Sequence, residues 1–472
     1  MCFHVKPYGN NVLKLKKWDI TSMTKNNYLT APLATKKMPF GIPYILSNEA
    51  FERFSFYGMR CILVVFMSQY LMGSGGDLNV MSDQESNTYL HYFVAGVYFT
   101  PILGAFLSAI WLGKFRTILI FSAINCLGLF TLVFDDTRMG LKVGLALIAI
   151  GSGFIKPCVS ANVGDQFGKS NKHLLAKVYS WFYFSINFGS FFSYMLIPIL
   201  LDKYGPRVAF SVPATSMLLA TVSYWVGRKS FVHVPPAGAD SIKEIFGGEG
   251  LRAIAKLCII YIFMIMFWAL FDQMDSSWMH LAYNMNPNWL GHEWLPPQIM
   301  SANPLMIMAL IPIFSYAVYP AINKVFPLTP LRKISIGLFV AALAFVVPAL
   351  IEMRIGAGHV PCIAWLIVAC LILTASEVMV SITVLEFSYT QAPKELKSFI
   401  MAVFLLSISL GNFFTGTVNI FIQNPDGSSK LPGASYFWFF AGMMFLTAVI
   451  FVPIAALYKE KTYILEESPD NE

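Results

Sequence analysis

Residues 44–70 read YILSNEAFERFSFYGMRCILVVFMSQY, and this stretch decides what kind of protein the chain is. It is long and apolar enough to cross a hydrocarbon layer of about 30 Å, which takes roughly 20 residues of helix. Yet Glu49, Glu52, Arg53 and Arg60 sit inside it. A charge at mid-bilayer costs about 2.5–3.5 kcal/mol on insertion scales, so it faces a cavity or a partner rather than lipid. On a helix Glu49, Arg53, Tyr57 and Arg60 follow one another at steps of four, four and three, which stacks them on one face. Glu52 lies at the edge of that face. Such a stripe looks into water or against another helix, and a self-neutralising structural ion-pair stripe is the alternative.

The rest of the chain resembles its first span in hydropathy. Of its 472 residues 56% are hydrophobic and only 12% charged, with a mean hydropathy of +0.61. A soluble protein is about a quarter charged, so lipid is the expected main solvent. Apolar runs occupy 44–70, 86–110, 117–134, 143–164, 178–200, 207–227, 255–281, 303–323, 334–352, 361–388, 398–422 and 436–457. That is about twelve spans, each helical because unpaired backbone groups cannot face lipid. They lack the alternation over about ten residues that barrel strands show.

The longest polar interruption, near 228–253, holds Pro235, Pro236 and mixed charge. It predicts an N-terminal segment 1–42, a first six-helix bundle 43–228, a linker 229–253, a second bundle 254–458 and a tail 459–472. The expected fold class is therefore an all-α membrane protein of two pseudo-symmetric six-helix bundles, with a site between them near the midplane. Lys6, Lys14, Lys16, Lys17, Lys25, Lys36 and Lys37 precede the first span. Lys114, Arg116, Lys169, Lys172, Lys177, Lys324, Arg332 and Lys333 fall in connections on the same side, whereas 71–86 and 282–302 contain no Lys or Arg. The positive-inside bias then puts both termini in the cytoplasm. It also accounts for the net charge of +7 without nucleic acid as a partner.

Seven cysteines, most of them within spans, suggest small buried residues and neither a disulfide framework nor a metal site. Residues 1–40 are polar and contain no apolar core of a cleavable signal. The expected location is the inner or plasma membrane of the cell, with the lipid bilayer as partner.

Other ionisable residues fall in spans: His91, Lys156, Asp272, Asp275, Glu377 and Glu386. Counting Glu49 and Glu52, the six acids outnumber Arg53, Arg60 and Lys156. Unpaired buried carboxyls take up protons, so this chain is equipped to carry them. Arg53 and Lys156 in one half and Glu377 in the other form a dipole that suits a zwitterion such as an amino acid or short peptide. Tyr57, Tyr98, Tyr183 and Trp268 line pockets for side chains, or pack, or anchor at the interface.

Three groups of residues carry a resemblance. The first is Glu49-x-x-Glu52-Arg53-Phe54-x-Phe56-Tyr57-Gly58. The second is Gly151-Ser-Gly153-Phe-Ile-Lys156-Pro157, followed by Gly164-Asp165-Gln166-Phe167. The third joins Phe182-Tyr183-Phe184-Ser185-Ile186-Asn187-Phe188-Gly189, Phe267-Trp268-Ala269-Leu270-Phe271-Asp272-Gln273 and Ser376-Glu377-Val378 through Pro393. Over nearly all of 40–457 the chain resembles the proton-coupled oligopeptide transporters of the major facilitator superfamily.

The resemblance implies a symporter importing di- and tripeptides with protons by alternating access, needing no cofactor. Arg53 and Lys156 would hold the peptide carboxylate and Glu377 its amino group. Asn187 and Asn303 would bond its backbone, and Tyr57, Tyr98, Tyr183 and Trp268 would shape the pocket. Glu49 and Glu52 would couple protons. His91 would pair with Asp272 as an outer latch, and Lys156 would alternate between substrate and Glu377 or Glu386.

The chain departs from the family pattern at Phe56, where a tyrosine is usual, at Phe404 for a tryptophan and at Met274 for a glutamine. It also lacks the superfamily's usual aspartate near Ala109. The rival expectations are a porter of another small solute, such as nitrate or a peptide-like drug, and a non-transporting nutrient receptor. An enzyme is not expected, since no nucleophile–base set, metal-ligand spacing or phosphate-cradling glycine loop is present.

Overall fold

The computed structural model describes residues 28–73, 75–236, 238, 248–391, 397–424 and 428–458. Most of the predicted segment 1–42, part of the linker and the whole tail 459–472 lie outside the described residues.

Ser82 ends the first loop between spans and accepts a hydrogen bond from the Glu85 amide at 3.2 Å, starting one helix. Thr137 and Thr329 cap two others in the same way, at Gly140 and Arg332. Side-chain oxygens placed there satisfy amides that have no partner within the helix. In chain order the first half contains α1 (Ile42–Gln69), α2 (Asp83–Leu107), α3 (Gly113–Phe134) and α4 (Arg138–Asp165). It is completed by α5 (175–204) and α6 (206–226). These two run on continuously except at Gly205, whose φ of 79° breaks the helix. The left-handed conformation suits glycine because it has no Cβ, and Pro206 follows as the new helix starts.

The second half contains α7 (Gly248–Phe271), α8 (Ala302–Ile313, extended by Tyr319–Val325), α9 (Pro330–Gly356), α10 (Ala364–Glu377, extended by Thr383–Gln391), α11 (Lys397–Ile422) and α12 (Ala434–Leu457). Beyond α7 the chain tightens through Asp272–Asp275 into the short helix Ser277–Tyr283. The loop before α8 holds a small hairpin pairing Asn288–Trp289 with His292–Glu293.

Every span expected from hydropathy is therefore a helix. Judged on length and apolarity alone, nine helices among the described residues are able to cross a membrane. Two of those, 83–134 and 177–229, are pairs joined end to end, and α1 with its internal charges is not among them. The second half starts earlier than expected: α7 begins at Gly248, inside the predicted linker.

Within the first half α1 packs on the α5–α6 hairpin, α3 on α4 and α2 on α4. Within the second half α9 packs on α12 and α10, and α7 on α11. The halves meet along α2 with α11 and α5 with α8. Glycines set these approaches. A Cβ on Gly189 of α5 would lie 2.6 Å from the Ala50 oxygen and 2.9 Å from the Phe54 nitrogen of α1. A Cβ on Gly411 of α11 would lie 2.5 Å from the Ile265 oxygen of α7. Small residues bring helix backbones together where lipid offers no hydrophobic drive, and these two hold Arg53 and Trp268 in place. Gly189→Ala is expected to destabilise the protein by about 1–3 kcal/mol through overpacking. Gly442→Ala is expected to change little, since a Cβ there meets nothing within 4 Å. Thermal midpoints of the solubilised protein check both.

Candidate functional site

The charged face of α1 divides into two clusters. Nearer its start Arg53 Nε lies 3.0 Å from Glu49 Oε1 and Arg53 Nη2 lies 2.5 Å from Glu52 Oε2. Ser152 of α4 donates to the other Glu52 oxygen at 3.2 Å. All three charged residues are buried. Two turns on, Arg60 reaches across to the other half: its Nη2 is 2.6 Å from Asp272 Oδ1 and its Nε 2.9 Å from Asp275 Oδ2. Tyr194 of α5 donates its hydroxyl to Asp275 at 3.0 and 3.1 Å. Asn412 of α11 donates to Asp272 Oδ2 at 2.6 Å.

The expected direct His91–Asp272 latch is not the arrangement found. Arg60 and Asn412 already occupy the two Asp272 oxygens. His91 is instead held by Asn412 Oδ1, 2.8 Å from Nδ1, and by Ser276 Oγ, 2.9 Å from Nε2. Because Asn412 spends its amide nitrogen on Asp272, its oxygen is left to accept, so the proton belongs on Nδ1. The neutral ring's Nε2 then accepts from the Ser276 hydroxyl. Histidine and aspartate are thus linked through one amide side chain rather than paired.

More contacts across the halves gather at this end. Ser409 donates to the Ala95 carbonyl at 2.7 Å, Tyr92 Oη meets Thr417 Oγ1 at 3.2 Å, and Gln298 donates to the Met195 carbonyl at 3.2 Å. Within the first half, Arg138 of α4 clamps Glu85 of α2 beside the 71–86 loop.

Between the halves lies a cavity of about 200 Å³. Of the residues expected at the site, Tyr57, Tyr98, Tyr183, Asn187, Trp268, Asn303, Asp272 and Glu377 line it. Asn303 of α8 donates to Glu377 Oε2 at 2.9 Å and to Thr374 Oγ1 at 3.0 Å. Glu377 ends the regular part of α10, and a π-helical turn, Val378–Ile382, follows directly. Such turns are frequent at functional sites. The cavity wall therefore presents a half-buried carboxyl with an amide partner and no paired Lys or Arg among the described residues.

Arg53 and Lys156 do not line this cavity, contrary to the expectation of one shared chamber. Lys156 Nζ has no hydrogen-bond partner among the described residues. It stands 4.4 Å from the Phe56 ring centroid and 5.3 Å from that of Tyr98, which does line the cavity. Arg53 Cζ is 5.8 Å from the same Phe56 ring. One aromatic layer separates these cations from the cavity, and the phenylalanine at 56 has no hydroxyl to offer Lys156. Glu386, expected as a gating acid, is exposed on the extension of α10 and does not line the cavity either. Its position beyond the π turn carries it away from the site.

Sequence reasoning passed over Tyr194, Ser276 and Asn412, and gave Arg60 and Asp275 no role. Asn412 had a signal: an amide within an apolar span is costly unless it is paired. Tyr194 had none, since a span tyrosine is more often packing. Phe404, the substitute for a tryptophan, packs edge-on against Trp268 with centroids 6.4 Å apart. Met274 lines the cavity. Among the described residues no group of His, Cys, Asp and Glu side chains is arranged to hold a metal ion.

Comparison with known proteins agrees with this geometry. The POT family model matches residues 115–247 and 242–439. The chain is 34% identical to "Peptide transporter family 1" of Drosophila melanogaster, over 67% of this chain and 48% of that protein. It is also 34% identical to "Solute carrier family 15 member 1" of Mus musculus, over 67% of this chain and 52% of that protein. The chain thus spans about half the length of the curated relatives it matches. Among solved structures it resembles the POT family transporter PepTSo, with a TM-score of 0.81 and 33% identity over 89% of this chain and 99% of that one. An auto-inhibited POT family peptide transporter gives 0.80 and 31% over 92% and 99%. The chain is an integral membrane protein with the major facilitator architecture, and it belongs to the proton-coupled oligopeptide transporter family.

Proposed function

We propose that this chain imports di- and tripeptides together with protons by alternating access in the cell membrane, with both termini cytoplasmic. One observation carries the proposal: among the described residues a half-buried carboxyl at the cavity has no paired cation, and one ring away a buried ammonium has no hydrogen-bond partner. Among the described residues Glu377 is held by Asn303, while Lys156 Nζ is unpartnered over Phe56 and Tyr98. A zwitterionic peptide supplies both missing charges, its ammonium to Glu377 and its carboxylate toward Lys156 and Arg53. A turn of Tyr98 or Phe56 would bring the latter pair into contact.

Asn187, Asn303 and the free Trp268 indole N–H are placed to bond the peptide backbone, and Tyr57 and Tyr183 to bound the side-chain pockets. Glu49 and Glu52 share one arginine, so that cluster has a spare acid for a proton. Contacts at the end nearest the 71–86 loop join the halves. In the proposed orientation, then, this arrangement is closed toward the outside.

Uptake of a labelled dipeptide into proteoliposomes, with and without an imposed pH gradient, tests the proposal. Accumulation that depends on the gradient is expected. Binding without accumulation would instead mark a receptor, and displacement by nitrate rather than tripeptides would mark another solute. Lys156→Ala is expected to abolish gradient-driven accumulation, read in the same assay, whereas Asp77→Ala in the outer loop is expected to do little.

A further inference from the structure

The cavity is more acidic than one peptide requires. Its described lining contains three carboxylates, Asp272, Asp275 and Glu377, and one cation, Arg60. Arg60 is shared: one guanidinium contacts both aspartates, at 2.6 and 2.9 Å. That cluster therefore has two negative charges against one positive. The Tyr194 hydroxyl, bonded to both Asp275 oxygens, holds the second carboxylate in place without adding charge. Asn412, the amide on Asp272, is also neutral.

A second observation points to a ligand here. Trp268 lines the same cavity and is only 8% exposed, and its indole Nε1 has no partner among the described residues. A buried donor left unpaired is costly, and a peptide carbonyl would satisfy it.

The balance changes when a peptide enters. Its ammonium answers Glu377 and its carboxylate answers the cations behind Tyr98. The Arg60–Asp272–Asp275 cluster is left one negative charge in excess, in a buried site where an uncompensated carboxylate is costly. A neutral side chain does nothing for that charge, an acidic one adds to it, and a lysine or arginine side chain removes it.

We propose that Asp275 is a specificity determinant that makes this cavity prefer peptides with a cationic side chain. The proposal rests on the peptide-transport function above. Asp275 acts by direct charge complementarity, and like-charge repulsion disfavours acidic peptides.

The test is competition against labelled dipeptide uptake in proteoliposomes by unlabelled Ala-Lys, Ala-Ala and Ala-Asp. The wild-type protein is expected to bind Ala-Lys about tenfold more tightly than Ala-Ala, and Ala-Asp most weakly, as judged by half-inhibiting concentrations. Asp275→Asn is expected to erase the Ala-Lys advantage, and Asp275→Glu to keep most of it. If either variant does not transport, the same ranking is read from peptide-induced shifts in the Tm of the solubilised protein.

The proposal is overturned if the wild type ranks the three peptides alike, or if the Ala-Lys advantage survives Asp275→Asn. It is overturned equally if Asp275→Asn leaves the ranking intact and lowers the number of protons moved per peptide, since the spare charge is then met by a proton. Failure of the transport function itself looks different: no peptide of the set binds or accumulates in the wild type.

Discussion

Glu377→Gln is expected to weaken dipeptide binding about a hundredfold and to eliminate concentrative uptake. The carboxyl lies in the cavity wall with Asn303 as its hydrogen-bond partner and no Lys or Arg paired with it among the described residues. A peptide ammonium would be its first permanent counter-charge. Losing one partner of a buried charged pair costs about 2–5 kcal/mol, and 1.4 kcal/mol is a factor of ten. Glutamine keeps the shape and still accepts from Asn303, so the fold is expected to survive with an unchanged thermal midpoint. Peptide-induced Tm shifts separate lost binding from lost transport. N-acetylated dipeptides, which have no ammonium, are expected to bind wild type and variant alike. Normal transport of free dipeptides by Glu377→Gln would remove the assignment.

Arg60→Ala is expected to open the end of the molecule beside the 71–86 loop. One guanidinium there holds Asp272 and Asp275 from the opposite half, and its removal leaves two buried carboxylates with neutral partners only. Breaking a buried ion pair from one side costs about 3–5 kcal/mol. Because both acids become hydrated when the halves part, the cost falls on the joined arrangement and not on the separated one. A shift of about 3 kcal/mol is more than a hundredfold change in the ratio of the two states. Spin labels in the 71–86 loop and in the loop before α8, on a background with the native cysteines replaced, would report it as a longer distance. An unchanged distance distribution would show that the α2–α11 contacts suffice without the arginine. Asp272→Asn combined with Asp275→Asn removes the stranded charges as well, so in that background Arg60→Ala is expected to open the end far less.

The two clusters on α1 show how helix spacing and tertiary placement share the work. Steps of three and four placed Glu49, Arg53, Tyr57 and Arg60 on one face, and the structure keeps them there. Spacing along one helix leaves open what faces each residue. Arg53 closes on its own helix's acids, while Arg60 crosses to the other half.

The twelve spans, their helical state, the two halves and the short list of ionisable residues were all legible in the sequence. The reason is that lipid punishes every unpaired backbone group and every stray charge, so hydropathy alone places them. The family could be read there too, from motifs around Glu49, Lys156 and Glu377. Partner choice among the buried polar groups was decided only by the tertiary structure. His91 meets Asn412 and Ser276 rather than Asp272, Lys156 stands behind an aromatic ring, and Asp275 acquires Tyr194. A hydrogen bond or ion pair depends on a few ångströms between helices distant in sequence, and those distances are set by close approaches such as Gly189 on α1 and Gly411 on α7.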